Sequence, residues 1–465
     1  MAPLTSRNCG TMVPMKRRFK TVDYEKTLDL TITVRDALPA GHLARFIVDL
    51  VTHLNLAPIY AHYAPVGGVA YAPEMLLALL LYGYVTGVFS SRKIERATYD
   101  ALPFFFIAGG LHPDHDTLAN FRKTFLPELA DLFVDVLLLA QHAGVLKLGN
   151  ISLDGAKIHA DASKSSAMSY NRLLEREAQL HREVQELFAL AQRADQQPLP
   201  AGLVPAAEIA LRKDRLARLA EAKAILTLRA DERYQAEKAD YDAKMQEREE
   251  KARHSGRKPR GPAPKPPTPG PRDDDQYNFT DPDSRIMKSG RTTFEQCYNG
   301  QVAVDQASLL IVGQTLSNHP NDQREAIPTI DAIPAALGRP PAAALDNGYF
   351  SPSNVAALHA REIEPYIATG REPHHQTWQD RFREQAAPPS EEASLQEKMA
   401  YKLRTALGKA IYGLRKCTVE PVIGIIKEVL GFRQFSLRGL MAVAGEWCLV
   451  CLAFNIKRLH VLLPG

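Results

Sequence analysis

Three acidic residues that lie far apart in the chain share an unusual placement. Asp154 ends the strand-like run ISLD, Asp346 ends the strand-like run AAALD, and Glu420 lies at the predicted start of a helix. In open α/β sheets ligands bind at the carboxyl ends of strands, because side chains there leave the packed interior. Each aspartate taken singly could instead be a turn residue, since Asp-Gly and Asp-Asn-Gly are common turn sequences.

Three carboxylates gathered in one place would repel one another, so cations are expected among them. Mg²⁺ and Mn²⁺ are the natural choice because they are hard ions that prefer oxygen ligands. Two such ions about 3.5–4 Å apart can activate a water or a 3′-hydroxyl on one side of a phosphodiester and stabilise the leaving oxygen on the other. The three acids therefore predict a two-metal site for phosphoryl chemistry.

The segment around the third acid reads as an amphipathic helix. Glu420, Gly424 and Lys427 recur at helical spacing, and Pro421 suits a first helical turn. An apolar stripe is predicted to pack inward; it consists of Val419, Ile423, Ile426 and Leu430. Lys427, two turns from Glu420, could hold a phosphate beside the metals. The alternative is a solvated Glu/Lys pair of the ordinary surface kind.

The first third of the chain predicts an all-α domain over residues 34–146. Helical periodicity marks residues 43–54, 73–86, 91–100 and 118–143. Near Gly149 the period falls from about four to about two, which indicates a strand. Residues 169–254 are charged and heptad-like and favour two antiparallel helices. Residues 255–285 are proline-rich and predict an extended, mobile linker.

The remaining sequence alternates strands with helices. Strands are predicted at 298–305, 308–316, 341–346 and 364–368, and helices at 324–337 and 353–361. The order is therefore β, helical insertion, then ββαβαβα. This order predicts an α/β domain with a mixed sheet, formed by residues 147–168 and 286–465, whose first two strands are separated by the insertion.

Composition limits the class of protein. The chain has 465 residues, 45% of them hydrophobic, which is enough for two or more domains. A net charge of +4 slightly favours a polyanionic partner. Five cysteines are too few for a disulfide framework, so we expect a cytoplasmic protein. Cys448 and Cys451 are interpreted as core thiols, and the apolar run Leu440–Phe454 is too short to span a membrane.

Taken together these segments resemble the DDE transposases of bacterial insertion sequences, and the resemblance runs from about Tyr71 to about Leu459. The segments that carry it are YAPEMLLALLLYGYVTGVFSSRKIERA, DHDTLANFRK, LDGAKIHADAS, LDNGYF and VEPVIGIIK. The resemblance implies a helical DNA-binding domain followed by a ribonuclease H-like catalytic domain. It also implies that Asp154, Asp346 and Glu420 are catalytic residues and ligands of two Mg²⁺ or Mn²⁺ ions.

The family also has a tyrosine, arginine, glutamate, lysine signature near its glutamate, matched here by Tyr412, Arg415, Glu420 and Lys427. The separation between Arg415 and Glu420 is one residue longer than in the family pattern, so Lys416 is an alternative for the basic position. By the resemblance, these cationic and phenolic side chains contact DNA. An arginine suits this role because its fork can grip a phosphate.

Other DNA contacts are expected from the helical domain and from a basic leader over residues 1–33. The candidates that could reach phosphates are Arg92, Lys93, Arg96, Arg122 and Lys123. Solvated helix faces are the alternative reading of these residues. The implied partners are double-stranded DNA, as element ends and target, and a second copy of the chain in a homodimer. We expect a nucleoid-associated cytoplasmic protein with no membrane contact and no small-molecule cofactor.

Several polar residues near the three acids are left outside the predicted site. Lys157, His159 and Asp161 are interpreted as solvated turn residues after the first strand. Asp305 and Asp322 are excluded because neither ends a strand at the expected crevice. Two alternatives to the transposase remain open. They are a catalytically inactive or domesticated DNA-binding protein of the same fold, and a helical scaffold protein built on the charged insertion.

Overall fold

The structure is a computed structural model that describes residues 33, 35–63, 70–193, 199–256, 261–290, 292–370 and 388–463. The leader, apart from residue 33, therefore lies outside the described residues, as do residues 257–260 of the proline-rich segment.

The N-terminal region is all-helical, as predicted. Its helices are α1 (Leu43–Val51), α2 (Ala57–Ala61), α3 (Pro73–Thr86), α4 (Ser91–Asp100), α5 (Leu102–Ile107), α6 (His115–Thr124) and α7 (Glu128–His142). The single helix predicted over 118–143 is wrong, because α6 and α7 are separate. Pro127 lies between them, and a proline inside a helix removes a hydrogen bond and clashes with the preceding turn.

The second domain contains a mixed six-stranded sheet. Its strands are β1 (Ile151–His159), β4 (Arg285–Lys288), β5 (Phe294–Asp305), β6 (Ile311–Ser317), β7 (Ala342–Leu345) and β8 (Glu364–Ile367). The order across the sheet is β4-β5-β1-β7-β8, and β6 pairs with the second half of β5. β1 is central, antiparallel to β5 and parallel to β7, so the predicted mixed sheet is found.

Helices cover the sheet and lead to the third acid. They are α10 (Ala326–Asp331), α11 (Pro352–Ala360), α12 (Leu395–Arg404), α13 (Ala406–Gly413), α14 (Val419–Gly424) and α15 (Leu440–Leu462). α10 is much shorter than the helix predicted over 324–337, because Pro334 interrupts the pattern and only a short 3₁₀ turn follows it.

The C-terminal helix α15 contacts both the N-terminal helices and the sheet. It packs on α3, α7 and β6, and Cys448 and Cys451 are buried in it, as predicted. By length and composition it is a candidate membrane span of 23 residues, which corrects the prediction that the run is too short. Of the most apolar stretch of this helix, 67% is buried inside the protein. The core helix of a globular domain has the same property.

The insertion between β1 and β4 forms an arm of two antiparallel helices, α8 (Tyr170–Arg193) and α9 (Pro205–Ser255). A short ribbon of β2 (Ala167–Ser169) and β3 (Gln276–Asn278) closes its base. α9 has 51 residues, or roughly 75 Å at 1.5 Å per residue. It therefore extends well beyond α8.

The described part of the proline-rich segment packs against α9, which does not fit the predicted mobile linker. Arg248 of α9 donates to the carbonyl of Gly261 at 2.7 Å, and Arg233 donates to that of Gly270 at 3.2 Å. Arg272 forms an ion pair with Glu237 at 2.9 Å. Residues 261–272 therefore run back along the helix as a strap, extended as predicted.

Candidate active site

Asp154 lies in the middle of β1. The prediction that it ends a strand is wrong, because β1 continues for five more residues to His159. The next residue, Gly155, does not form a turn; it is a glycine because a side chain there would clash with the neighbouring strand. A Cβ at Gly155 would lie 2.2 Å from Nε2 of Gln301, which is directly opposite it on β5. Strand alternation places Asp154 and Gly155 on opposite faces of the sheet.

Asp346 directly follows β7, as the sequence predicted. Its carboxylate caps the 3₁₀ turn Asn347–Tyr349 by accepting from the Asn347 N–H at 2.7 Å. Because β7 is the parallel neighbour of β1, with Leu345 paired to Leu153, the register brings Asp346 beside Asp154. Two sequence segments about 190 residues apart thus place their acids at one point of the sheet.

Glu420 is the second residue of α14, with Pro421 next to it, so the expected position near a helix start is found. The α-helical geometry ends at Gly424 and continues as a π-helical turn over Ile425–Val429. The predicted apolar stripe is buried at Val419, Ile426 and Leu430. Lys427, in the π turn, donates from Nζ to the carbonyl of Lys157 on β1 at 3.1 Å.

One guanidinium connects the three acids. Arg415 donates to Oδ2 of Asp154 at 2.9 Å and to Oε1 of Glu420 at 3.0 Å, and its Nη2 lies 3.8 Å from Oδ1 of Asp346. The Arg415 side chain is 8% exposed, whereas Glu420 and Asp346 are about half exposed, at 45% and 49%. The structure therefore brings all three predicted acids together around a buried cation.

Burial perturbs the ionisation of this cluster. It raises the pKa of the Asp154 carboxyl to about 6, although the Arg415 guanidinium and the Gly155 N–H act in the opposite direction. Burial also acts to lower the pKa of Arg415, but the charges of Asp154 and Asp346 outweigh it and raise that pKa. Burial lowers the pKa of the Lys427 ammonium. Arg415 therefore stays charged among the acids.

The donor set fits divalent cations after one side-chain movement. Among the described residues no three acidic, imidazole or thiol side chains are close enough to hold an ion together, because Arg415 lies between the acids. Its Nε is buried and makes no hydrogen bond with the described part of the chain, so the hydrogen bonds of the guanidinium come from its two terminal nitrogens. Carboxylate oxygens from three elements are the ligands that Mg²⁺ and Mn²⁺ prefer.

Of the other two DNA-contact candidates in this segment, one lies beside the cluster and one faces solvent. The Tyr412 ring is 6.0 Å from the Arg415 guanidinium carbon, and Lys416 is exposed to solvent. Of the two candidates for the basic position, Arg415 is the one that contacts the acids. The 3₁₀ turn Leu414–Cys417, which precedes α14, holds it there.

The basic candidates of the helical domain divide into two groups. Arg92, Lys93 and Lys123 are exposed. Arg122 is buried, at 8% exposure, and donates to the Tyr84 hydroxyl at 2.9 Å. This location does not suit the predicted contact between Arg122 and DNA, because the side chain does not reach the surface. The helical periodicity of α6 could have indicated this, since Arg122 follows the buried Phe121 and lies four positions after the buried Leu118.

Asp322, which the sequence analysis leaves outside the site, lies close to the strand of Asp154. It lies in the 3₁₀ turn Asp322–Arg324 after β6 and forms an ion pair with Lys157 at 2.8 Å. Its carboxylate would lie 3.0 Å from a Cβ at Gly155, the residue after Asp154. Lys157 is likewise a strand residue of β1 and not a turn residue. No local pattern marks Asp322, because its proximity depends on the register between β1, β5 and the following turn.

Comparison with known families agrees with this arrangement. Residues 262–456 match the model described as Transposase DDE domain, and residues 32–124 match the model described as Transposase domain (DUF772). Together they cover more than half of the chain; β1 and most of the helical arm lie between them. No curated protein and no solved structure matches the chain. A helical domain followed by a DDE domain defines a class of transposition enzymes. The chain belongs to the DDE transposases of insertion sequences.

Proposed function

We propose that this transposase binds the terminal inverted repeats of its element and performs two-metal hydrolysis and strand transfer on DNA. The observation that carries the proposal is the convergence of Asp154, Asp346 and Glu420 on one guanidinium. Three carboxylates from distant segments are costly to gather unless cations balance them. The mixed sheet with β1 at its centre supports a ribonuclease H-like assignment for the catalytic domain.

In this proposal the three acids hold Mg²⁺ or Mn²⁺, which supply activation of the attacking oxygen and stabilisation of the leaving oxygen. With the ions bound to the acids, Arg415 would be free to grip a phosphate with its fork. Lys427, which donates to the Lys157 carbonyl of β1, offers a second cation to the DNA backbone. No covalent protein intermediate is needed.

The proposed DNA surface extends from the acids to the helical domain. Phe89, just before α4, packs edge to face against Phe432, just after the π turn, with ring centroids 5.2 Å apart. The exposed Arg92 and Lys93 at the start of α4 therefore lie near the π turn that follows α14, the helix of Glu420. Together with the exposed Lys123 and Lys416, they could position the backbone of a bound element end without reading its sequence. A homodimer at the nucleoid, in the cytoplasm, would handle both ends.

The test is Mg²⁺-dependent nicking of DNA that carries the terminal repeats of the element, with the intact chain. Asp346→Asn should lower the cleavage rate by about a thousandfold or more, because a lost metal ligand removes several kcal/mol of charge stabilisation. DNA binding in a mobility-shift assay should be retained. Asp331→Asn is the matched control, since Asp331 is ion-paired with Arg361 on the exposed side of α10, and it should cleave like the parent.

Three results would contradict the proposal. If Asp346→Asn cleaves as fast as the parent, the assignment of the acids is wrong. If the parent binds terminal-repeat DNA but does not cleave it with Mg²⁺ or Mn²⁺, the chain is an inactive or domesticated DNA-binding protein. If it neither binds DNA nor cleaves it, the scaffold reading built on the arm gains support.

A further inference from the structure

A second polar cluster lies on the other face of β1, centred on Asp322. Its Oδ1 accepts from Nζ of Lys157 at 2.8 Å, from Nδ2 of Asn299 at 2.7 Å and from Nε2 of Gln301 at 2.9 Å. Lys157 belongs to the strand of Asp154, and the two amides belong to β5, its antiparallel partner. One carboxylate oxygen thus links two strands through three donors.

The cluster also reaches the turn that carries Asp346. Gln301 accepts, on its side-chain oxygen, a hydrogen bond from the hydroxyl of Tyr349. Tyr349 is the last residue of the turn that Asp346 caps, and its N–H donates to the Asp346 carbonyl at 3.1 Å. A continuous hydrogen-bonded path therefore runs from Lys157 through Asp322 and Gln301 to the Asp346 turn.

The backbones of the two turns are clamped together as well. The buried Asn354 of α11 donates to the carbonyl of Gln323 at 2.7 Å and to that of Tyr349 at 2.8 Å. A Cβ at Gly348 would lie 3.9 Å from Oδ2 of Asp322. The Asp322 turn therefore packs directly on the Asp346 turn.

We propose that Asp322 is a positioning residue of the active site. Through Lys157 and Gln301 it fixes the strand of Asp154 relative to the turn of Asp346, and so sets the spacing of the carboxylates that hold the divalent ions. It does not itself touch the ions or the DNA. This inference rests on the proposed function, because it assigns a role toward ions that the same acids bind.

The test measures Mn²⁺ binding to the full-length protein, using electron paramagnetic resonance to quantify the free ion. The Mn²⁺ concentration that activates nicking is measured alongside it. Asp322→Ala should weaken Mn²⁺ affinity and shift the activating concentration upward by about 10- to 100-fold, the usual cost of removing a residue that orients metal ligands. Asp322→Asn, whose amide oxygen can still accept the three hydrogen bonds, should recover a large part of the affinity.

Controls separate this inference from the proposed function and from misfolding. Asp331→Ala, another aspartate in a surface ion pair, should bind Mn²⁺ like the parent, and thermal melting should show that each variant is folded. If Asp322→Ala does not fold, Lys157→Met tests the same path and should weaken Mn²⁺ binding in the same direction. Unchanged Mn²⁺ affinity in a folded Asp322→Ala overturns the positioning role. The positioning role is also overturned if Asp322→Asn weakens Mn²⁺ binding as much as Asp322→Ala does. If the parent protein binds no Mn²⁺, and so behaves as Asp346→Asn is expected to behave, the proposed function is refuted and this role with it.

Discussion

Among the described residues two buried arginines form ion pairs with carboxylates, and they differ in whether solvent reaches those carboxylates. Arg122 lies 3.9 Å from Glu446, whose side chain is fully buried. Arg415 contacts Asp154, which is 24% exposed, and Glu420, which is 45% exposed. Solvent therefore does not reach the carboxylate beside Arg122, whereas it does reach the acids around Arg415, where we propose that divalent ions from solution replace the guanidinium. The two ion pairs therefore differ in exposure of the anion and not in burial of the cation, and we expect only the exposed one to belong to the proposed site.

The hydrogen bonds around the two pairs support this distinction. Glu446 also accepts from the Tyr84 hydroxyl at 3.0 Å and from the N–H groups of Ser436 and Leu437 at 2.9 and 3.0 Å. These contacts tie α3 of the helical domain to α15. The three acids around Arg415 instead come from three separate elements, and the guanidinium is the cation they have in common. We therefore expect opposite consequences when each arginine is removed.

The largest effect on stability is expected for Arg122→Ala. It leaves the Glu446 carboxylate buried without its cation, which typically costs about 3–5 kcal/mol. Urea unfolding measures this loss, and Mg²⁺ should not restore it. Lys123→Ala is the matched control, because Lys123 is the next residue and is exposed; its free energy of unfolding should change by less than about 0.5 kcal/mol. If the two substitutions lower the free energy of unfolding equally, the Arg122–Glu446 pair is not a stabilising ion pair.

A smaller effect follows from the ionisation of Asp154 in metal-free protein. Its folded-state pKa of about 6 lies above the ordinary value of 3.8, so the folded state favours the protonated form. This stabilisation is fully present below about pH 4 and is lost as the pH rises through 6. At about 1.4 kcal/mol for each tenfold change in acidity, the loss reaches about 2–3 kcal/mol.

Melting temperatures in EDTA between pH 4 and pH 7.5 measure this loss. Asp154→Asn has no carboxyl to titrate, so its melting temperature should fall less over the same interval than that of the parent. Parallel curves for the two proteins would mean that Asp154 is not the group responsible. The comparison is of slopes, because the substitution also removes a partner of Arg415 and lowers both ends of the curve.

How far the sequence predicts this site depends on the range of the contacts involved. Asp346 and Glu420 are set by local signals, an apolar run before a turn and a proline in a first helical turn, and their placement was predicted correctly. Asp154 was expected at a strand end because glycine follows it. The glycine is needed by Gln301 on the neighbouring strand, and no local pattern reveals such a cross-strand contact.

The same limit explains the other differences. The mixed sheet and the helical domain follow from periodicity, which is a local property. The burial of Arg122 is indicated by the periodicity of α6, but its pairing with Glu446 of α15 and the position of Asp322 follow from tertiary packing. A residue type that suits DNA contact or a turn gives no information about which elements will pack on it. Long-range register is therefore the part of this site that the sequence alone leaves open.

The smallest predicted effect decides between Arg415 and Lys416. Because the guanidinium competes with divalent ions for the acids, Arg415→Gln should bind Mn²⁺ about tenfold more tightly in the absence of DNA, in line with about 1.4 kcal/mol for the charged hydrogen bonds it no longer makes. Lys416→Gln should leave Mn²⁺ affinity unchanged, because Lys416 faces solvent. Titration with Mn²⁺ measures both. A weaker Mn²⁺ affinity in Arg415→Gln would mean that the arginine organises the acids instead of competing for them, and the contrast with Arg122 would then fail.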